Sequence, residues 1–97
     1  MKWSLAALVV AAALLWAWHV ERVAEDEAMA FCDGIQVGSP LDDVAARARE
    51  AGDERLRRIG PDSITVGFTG IPPFSRHLCA ARAEKGMVVA ARYVYLD

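Results

Sequence analysis

The chain has 97 residues, a formal net charge of −2 at pH 7, 55% hydrophobic residues and two cysteines. It has no basic surplus to hold a phosphate backbone, so a nucleic-acid partner is not expected. Outside one long apolar segment, roughly 65 to 75 residues remain, which is one small domain with little room for a catalytic pocket.

Residues 3–20, WSLAALVVAAALLWAWHV, form that segment. About 18 apolar residues is the lower part of the range that crosses a bilayer as a helix. Trp3 stands at one end and Trp16 and Trp18 at the other, where amphipathic rings favour the two interfaces. Lys2 precedes the run, while Glu21, Glu25, Asp26 and Glu27 outnumber Arg22 after it. The positive-inside bias therefore predicts a cytoplasmic amino terminus and an exported C-terminal domain. Residues 1–20 are expected to be the anchor and 21–97 the domain. The alternative is a cleaved signal peptide. Leu15-Trp16-Ala17 is a poor cleavage site, and Ala28-Met29-Ala30 has the small–x–small form but follows a charged stretch. His19 reads as an interfacial polar residue at the outer end of the span. Ala7–Ala11 and Ala13–Ala17 have small-residue spacing, a weak signal in so alanine-rich a run.

No Pro or Gly occurs before Gly34, so one helix is predicted from the membrane into the domain, ended by Gly34 as a left-handed cap. Val20, Val23, Ala24, Ala28, Phe31 and Ile35 recur at three- and four-residue steps and give it an apolar stripe. A second helix is signalled by Ser39 as cap, Pro40 at the first position, Asp42 and Asp43 in the first turn, and Gly52 as stop. Its stripe of Leu41, Val44, Ala45 and Ala48 predicts close helix packing. The segment RLRRI admits either a short strand or an irregular loop.

Three strands are predicted after it. Residues 64–69 alternate in polarity, and residues 76–83 and 87–96 flank Glu84-Lys85-Gly86, which reads as a three-residue hairpin loop. That loop would oppose Ala83 to Met87, Ala81 to Val89, Cys79 to Ala91 and His77 to Tyr93. It is preferred because a two-residue loop would set Arg92 against Cys79, burying a charge at several kcal/mol. Cys32 and Cys79, an even pair in an oxidising compartment, are expected to form a disulfide.

Ile35-Gln36-Val37-Gly38-Ser39, then Asp43-Val44 and Gly52, resemble the I-x-x-G-[ST]-x-x-x-V-x signature of the SmpA/OmlA (BamE-like) envelope domain, over residues 31–97. The resemblance implies an α+β fold, a helix–loop–helix on a three-stranded antiparallel sheet, and a role as an interaction module in the cell envelope. Members in the outer-membrane assembly machine are lipoproteins; this chain has no cysteine directly after its apolar run.

Ser75 and His77 stand two apart, but seryl chemistry needs a base, an orienting acid and an oxyanion site together. Cys32, Cys79 and His77 offer only three mixed ligands without a C-x-x-C pair. Neither catalysis, a metal, a cofactor nor a small-molecule substrate is expected. The partner-binding candidates are Ile71, Pro72, Pro73 and Phe74, a stiff apolar loop expected to project, and Arg76, Arg82 and Arg92, expected on the outer sheet face. The leading expectation is an inner-membrane-anchored accessory or adaptor of an envelope complex, with the bilayer and an envelope protein as partners. The alternative is a secreted enzyme inhibitor released by cleavage.

Overall fold

A computed structural model of the chain describes residues 2–71 and 75–96. Helix α1 (Lys2–Asp33) is unbroken over 32 residues, about 48 Å at roughly 1.5 Å per residue. Its first half is exposed all round, and its second half buries Ala24, Ala28 and Phe31. Among the described residues it is the one helix long and apolar enough to cross a membrane. Gly34 ends it with its N–H on the Ala30 carbonyl. The expected left-handed conformation is not used there; the glycines with positive φ are Gly38, Gly52 and Gly86.

Helix α2 (Leu41–Ala48) stops a turn short of Gly52. Ser39 does not cap it. The Ser39 hydroxyl is committed to the Gln36 carbonyl, and Pro40 takes the cap position without a side-chain bond. The first amide of the helix, at Leu41, is instead satisfied by the Gly86 carbonyl at 2.8 Å. Nor does α2 pair closely with α1; it lies mainly on strand β2. Arg47 makes the link, donating to the Gly34 carbonyl at 3.0 Å and standing 5.1 Å over the Phe31 ring.

The sheet has four antiparallel strands in the order β1-β2-β3-β4, one more than expected. The ambiguous RLRRI segment supplies the end of a 3-10 turn (Glu54–Leu56) and then β1 (Arg58–Ile59), paired with β2 (Ser63–Thr69). Strands β3 (Arg76–Glu84) and β4 (Met87–Leu96) form the hairpin, and its register differs from the expected one. Its loop has two residues, Lys85 at φ 56° and Gly86 at φ 79°, so Glu84 opposes Met87 and Ala83 opposes Val88. Both loop residues are left-handed, the conformation that matches strand twist in a two-residue turn. A bulge beside Arg82 and Ala83 then restores the phase. Cys79 thus opposes Tyr93 and His77 opposes Tyr95, with Arg92 across from Ala80. No charge faces the bridge, but a bulge rather than a longer loop achieves it.

The inner face carries Ile64, Val66 and Phe68 from β2, His77, Cys79, Ala81 and Ala83 from β3, and Val88 from β4, all buried under α1 and α2. Alanine dominates the helix side, so the core is thin. Cys32 and Cys79 are joined, with Cα atoms 5.5 Å apart, 47 residues apart in sequence. Closing a loop of that length contributes about 4 kcal/mol in the chain-entropy picture. The molecule measures 65 × 21 × 20 Å. A ten-residue strand, about 33 Å at roughly 3.3 Å per residue, is accommodated along its long axis, beside α1.

Candidate functional site

Glu21 is the first charged residue after the apolar run, and it is the hub of a polar cluster between α1 and the sheet. Its Oε2 accepts from the Ser75 hydroxyl at 2.5 Å and from the Ile71 N–H at 3.3 Å. Its Oε1 meets His77 Nε2. The Ile71 amide is also 3.0 Å from Ser75 Oγ. A carboxylate only accepts, so His77 Nε2 carries hydrogen, and in the neutral ring Nδ1 accepts from the Tyr93 hydroxyl 2.5 Å away. His77 and Ser75 are both buried, at 2% and 4% exposure, so each bond replaces water that cannot reach them.

Alternation builds the site. Ser75 immediately precedes β3 and His77 points inward from it, at the end where β4 runs out. Gly70 lets the chain close over the carboxylate: a Cβ there would stand 2.5 Å from both Glu21 Oε2 and Ser75 Oγ. The Ser75 hydroxyl, then the His77 ring and the Ile71 amide, hold the Glu21 carboxyl below its ordinary value against the opposing pull of burial. Burial, with Glu25 and Glu21 nearby, pushes the Tyr93 phenol up.

The geometry differs from that of a nucleophilic triad. Ser75 gives its hydrogen to the Glu21 carboxylate, and both His77 ring nitrogens are occupied by Glu21 and Tyr93, so the histidine does not face the serine oxygen as a triad requires. The two sulfurs are joined to each other and are not available beside His77 for a cation.

Of the loop candidates, Ile71 is half-buried rather than projecting, because its amide is tied to Glu21 and Ser75. Pro72, Pro73 and Phe74 lie outside the described residues. Arg76, Arg82 and Arg92 are exposed on the outer face at different heights. Arg76 pairs with Leu96 beside the Glu21 cluster, Arg92 with Ala80 in mid-sheet, and Arg82 with Ala90 toward the hairpin. Ser63, Thr65, Ala80 and Ala90 floor a shallow hollow of about 450 Å³ between Arg82 and Arg92. Arg82 also reaches Glu84 at 3.5 Å, an exposed pair of small energetic weight.

A second groove, about 430 Å³, runs along α1 between His19, Val20 and Val23 on one side and Asp53, Phe68 and Thr69 on the other. Asp53 is held there by the Arg55 amide and the Thr69 hydroxyl, which keep its carboxyl below the ordinary value.

Reading the sequence alone missed Glu21 and Tyr93. The available signal was parity: Ser75 and His77 share a strand face, and a buried histidine on that face needs partners. No protein-family model matches this chain, and neither curated proteins nor solved structures yield a match.

Proposed function

We propose that this protein is a single-pass, non-enzymatic interaction module of the bacterial envelope, anchored in the inner membrane with its domain in the periplasm. The observation that carries this reading is the continuity of α1. Residues of the anchor helix are themselves part of the domain: Ala24, Ala28 and Phe31 fill the core and Glu21 bonds the sheet. Cleavage after Ala30 would strip Glu21, Ala24 and Ala28 from the fold, which counts against a secreted inhibitor beginning at Phe31. The charge order around the span supports export of the domain, and the signature at residues 35–52 supports the SmpA/OmlA (BamE-like) comparison. That both His77 ring nitrogens are taken by Glu21 and Tyr93, with neither on the serine oxygen, supports a non-catalytic role.

The surface for a protein partner is the hollow between Arg82 and Arg92, whose small floor residues admit an acidic side chain while the guanidinium groups pair with it. The test is cross-linking and pulldown from native membranes with the full chain. The expected result is an intact chain in the membrane fraction, with a partner whose recovery drops at least tenfold in the double variant Arg82→Glu/Arg92→Glu. A soluble product starting at Phe31, or undiminished recovery with the double variant, overturns the anchor or the surface respectively.

A further inference from the structure

The Glu21 cluster fixes the height of the sheet relative to the apolar run, and this inference rests on that run crossing a bilayer. Residues 3–20 span about 27 Å at roughly 1.5 Å per residue, close to a hydrocarbon thickness of about 30 Å. Glu21 therefore stands where the helix leaves the hydrocarbon. Side chains on a helix tilt toward its amino terminus, so the Glu21 carboxylate lies on the membrane side of its own Cα. Ser75, His77 and the Ile71 amide bond that carboxylate directly. The end of the sheet formed by the start of β3 and the close of β4 is thereby held at the bilayer surface, inside a headgroup layer about 5–7 Å thick on each side.

The side chains at that end suit the layer. Arg76 is exposed and, among the described residues, makes no ion pair. Across from it, Leu96 is 42% exposed, and Tyr95 beside it is 47% exposed. On α1, Arg22 stacks 5.5 Å over the Trp18 ring, a basic–aromatic pair at the same boundary. The opposite end of β3 lies about 26 Å away along the strand, at roughly 3.3 Å per residue, and ends at Glu84 beside Lys85 of the hairpin loop.

We propose that the membrane-facing end of the sheet is a lipid-headgroup platform, in which Arg76 binds phospholipid phosphate while Tyr95 and Leu96 lie at the interface. The domain is thus seated on the bilayer by two attachments, the span and this rim. A long cationic side chain at the phosphate level gains a charge-assisted bond, and an aromatic and an aliphatic side chain there are spared full exposure to water.

The test uses the full chain in phosphatidylcholine–phosphatidylglycerol nanodiscs doped with a lipid whose headgroup chelates gadolinium, read by amide relaxation. Ile71, Arg76 and Leu96 amides are expected to relax as fast as Glu21 and several-fold faster than Lys85 and Gly86. A companion measurement compares melting temperature in these nanodiscs with that in nonionic maltoside micelles, which carry no phosphate. Arg76→Gln should shrink the phospholipid-specific gain, while Lys85→Gln, at the opposite end of the sheet, leaves it intact. Relaxation at Ile71, Arg76 and Leu96 no faster than at Lys85 overturns the platform while leaving the anchor standing. An unchanged gain in Arg76→Gln overturns the phosphate contact. Absence of lipid contact along residues 3–20 overturns the anchored reading and the platform together.

Discussion

At the end nearest the apolar run the sheet meets α1 through side chains: one carboxylate gathers a hydroxyl, an imidazole and an amide, and a tyrosine closes the far side of the ring. At the hairpin end the attachment is almost entirely main chain. Gly38 N–H donates to the Val88 carbonyl at 2.8 Å, Val88 N–H to the Ser39 carbonyl at 2.9 Å, and Leu41 N–H to the Gly86 carbonyl. The first kind of joint depends on the identity and protonation of particular residues. The second depends on backbone path and tolerates side-chain change. A domain that carries both is specified at its Glu21 end and permissive at its hairpin end, with the disulfide between them.

Removing that middle joint has the largest expected effect. Cys32→Ala/Cys79→Ala, or reduction, should lower stability by about 2–4 kcal/mol, since the bridge closes a long loop over a thin core. Thermal unfolding in micelles with and without reductant measures it; a loss below about 1 kcal/mol would mean that the two ends hold the sheet unaided. Next comes Glu21→Ala, which leaves the buried Ser75 hydroxyl and His77 ring without an acceptor. Its expected cost is about 2–3 kcal/mol, and Glu21→Gln should cost less because an amide still accepts one of the bonds. If Glu21→Ala unfolds no earlier than wild type, the cluster is not the joint described above.

Much of the fold was legible because it rests on local signals. The long helix follows from an apolar run and an apolar stripe with no breaker before Gly34, β2 follows from alternation, and the disulfide from an even pair of cysteines. The hairpin loop was not legible. Met87 and Val88 are both apolar, so the inner pattern fits a loop of either two or three residues until a bulge is allowed. Lys85 in a left-handed conformation also carries no marker in its side chain. The second helix looked longer and better capped than it is, because tertiary bonds from the hairpin replaced the cap that Ser39 offered. Glu21 was read as a topology marker since it borders the span. Its partners lie 54 and 56 residues away in sequence, and no local periodicity links them.

Acid should loosen the Glu21 end by titration alone. The Glu21 carboxyl in the folded chain sits below its ordinary 4.5, chiefly through the Ser75 hydroxyl. Its contribution is therefore whole above 4.5 and is lost as pH falls through the lower folded value. Asp53 is shifted the same way by the Arg55 amide, so total stability alone does not isolate Glu21. The difference between wild type and Glu21→Gln does. That gap should be widest at neutral pH and close as the medium is acidified below 4.5; a gap constant through the acid range would remove Glu21 as the titrating joint. The hairpin bonds hold no ionisable group, so amide exchange at Val88 and Leu41 should keep its pattern over the same range once corrected for intrinsic rates.

The smallest expected effect separates main-chain from side-chain attachment at the hairpin end. A serine that caps a helix typically costs about 1 kcal/mol when truncated to alanine. Ser39 sits where such a cap is predicted, yet its hydroxyl bonds the Gln36 carbonyl, and Pro40 holds the cap position with no side-chain bond to α2. What fastens this turn is the Ser39 carbonyl, accepting from Val88, and alanine supplies the same carbonyl. Ser39→Ala should therefore change stability by less than about 0.5 kcal/mol, as for a surface substitution. It should also leave amide exchange at Asp42 and Asp43, in the first turn of α2, unaltered. A full cap-sized loss with faster exchange there would show the serine acting on the helix in solution, and the hairpin end would then be specified by side chains as the Glu21 end is.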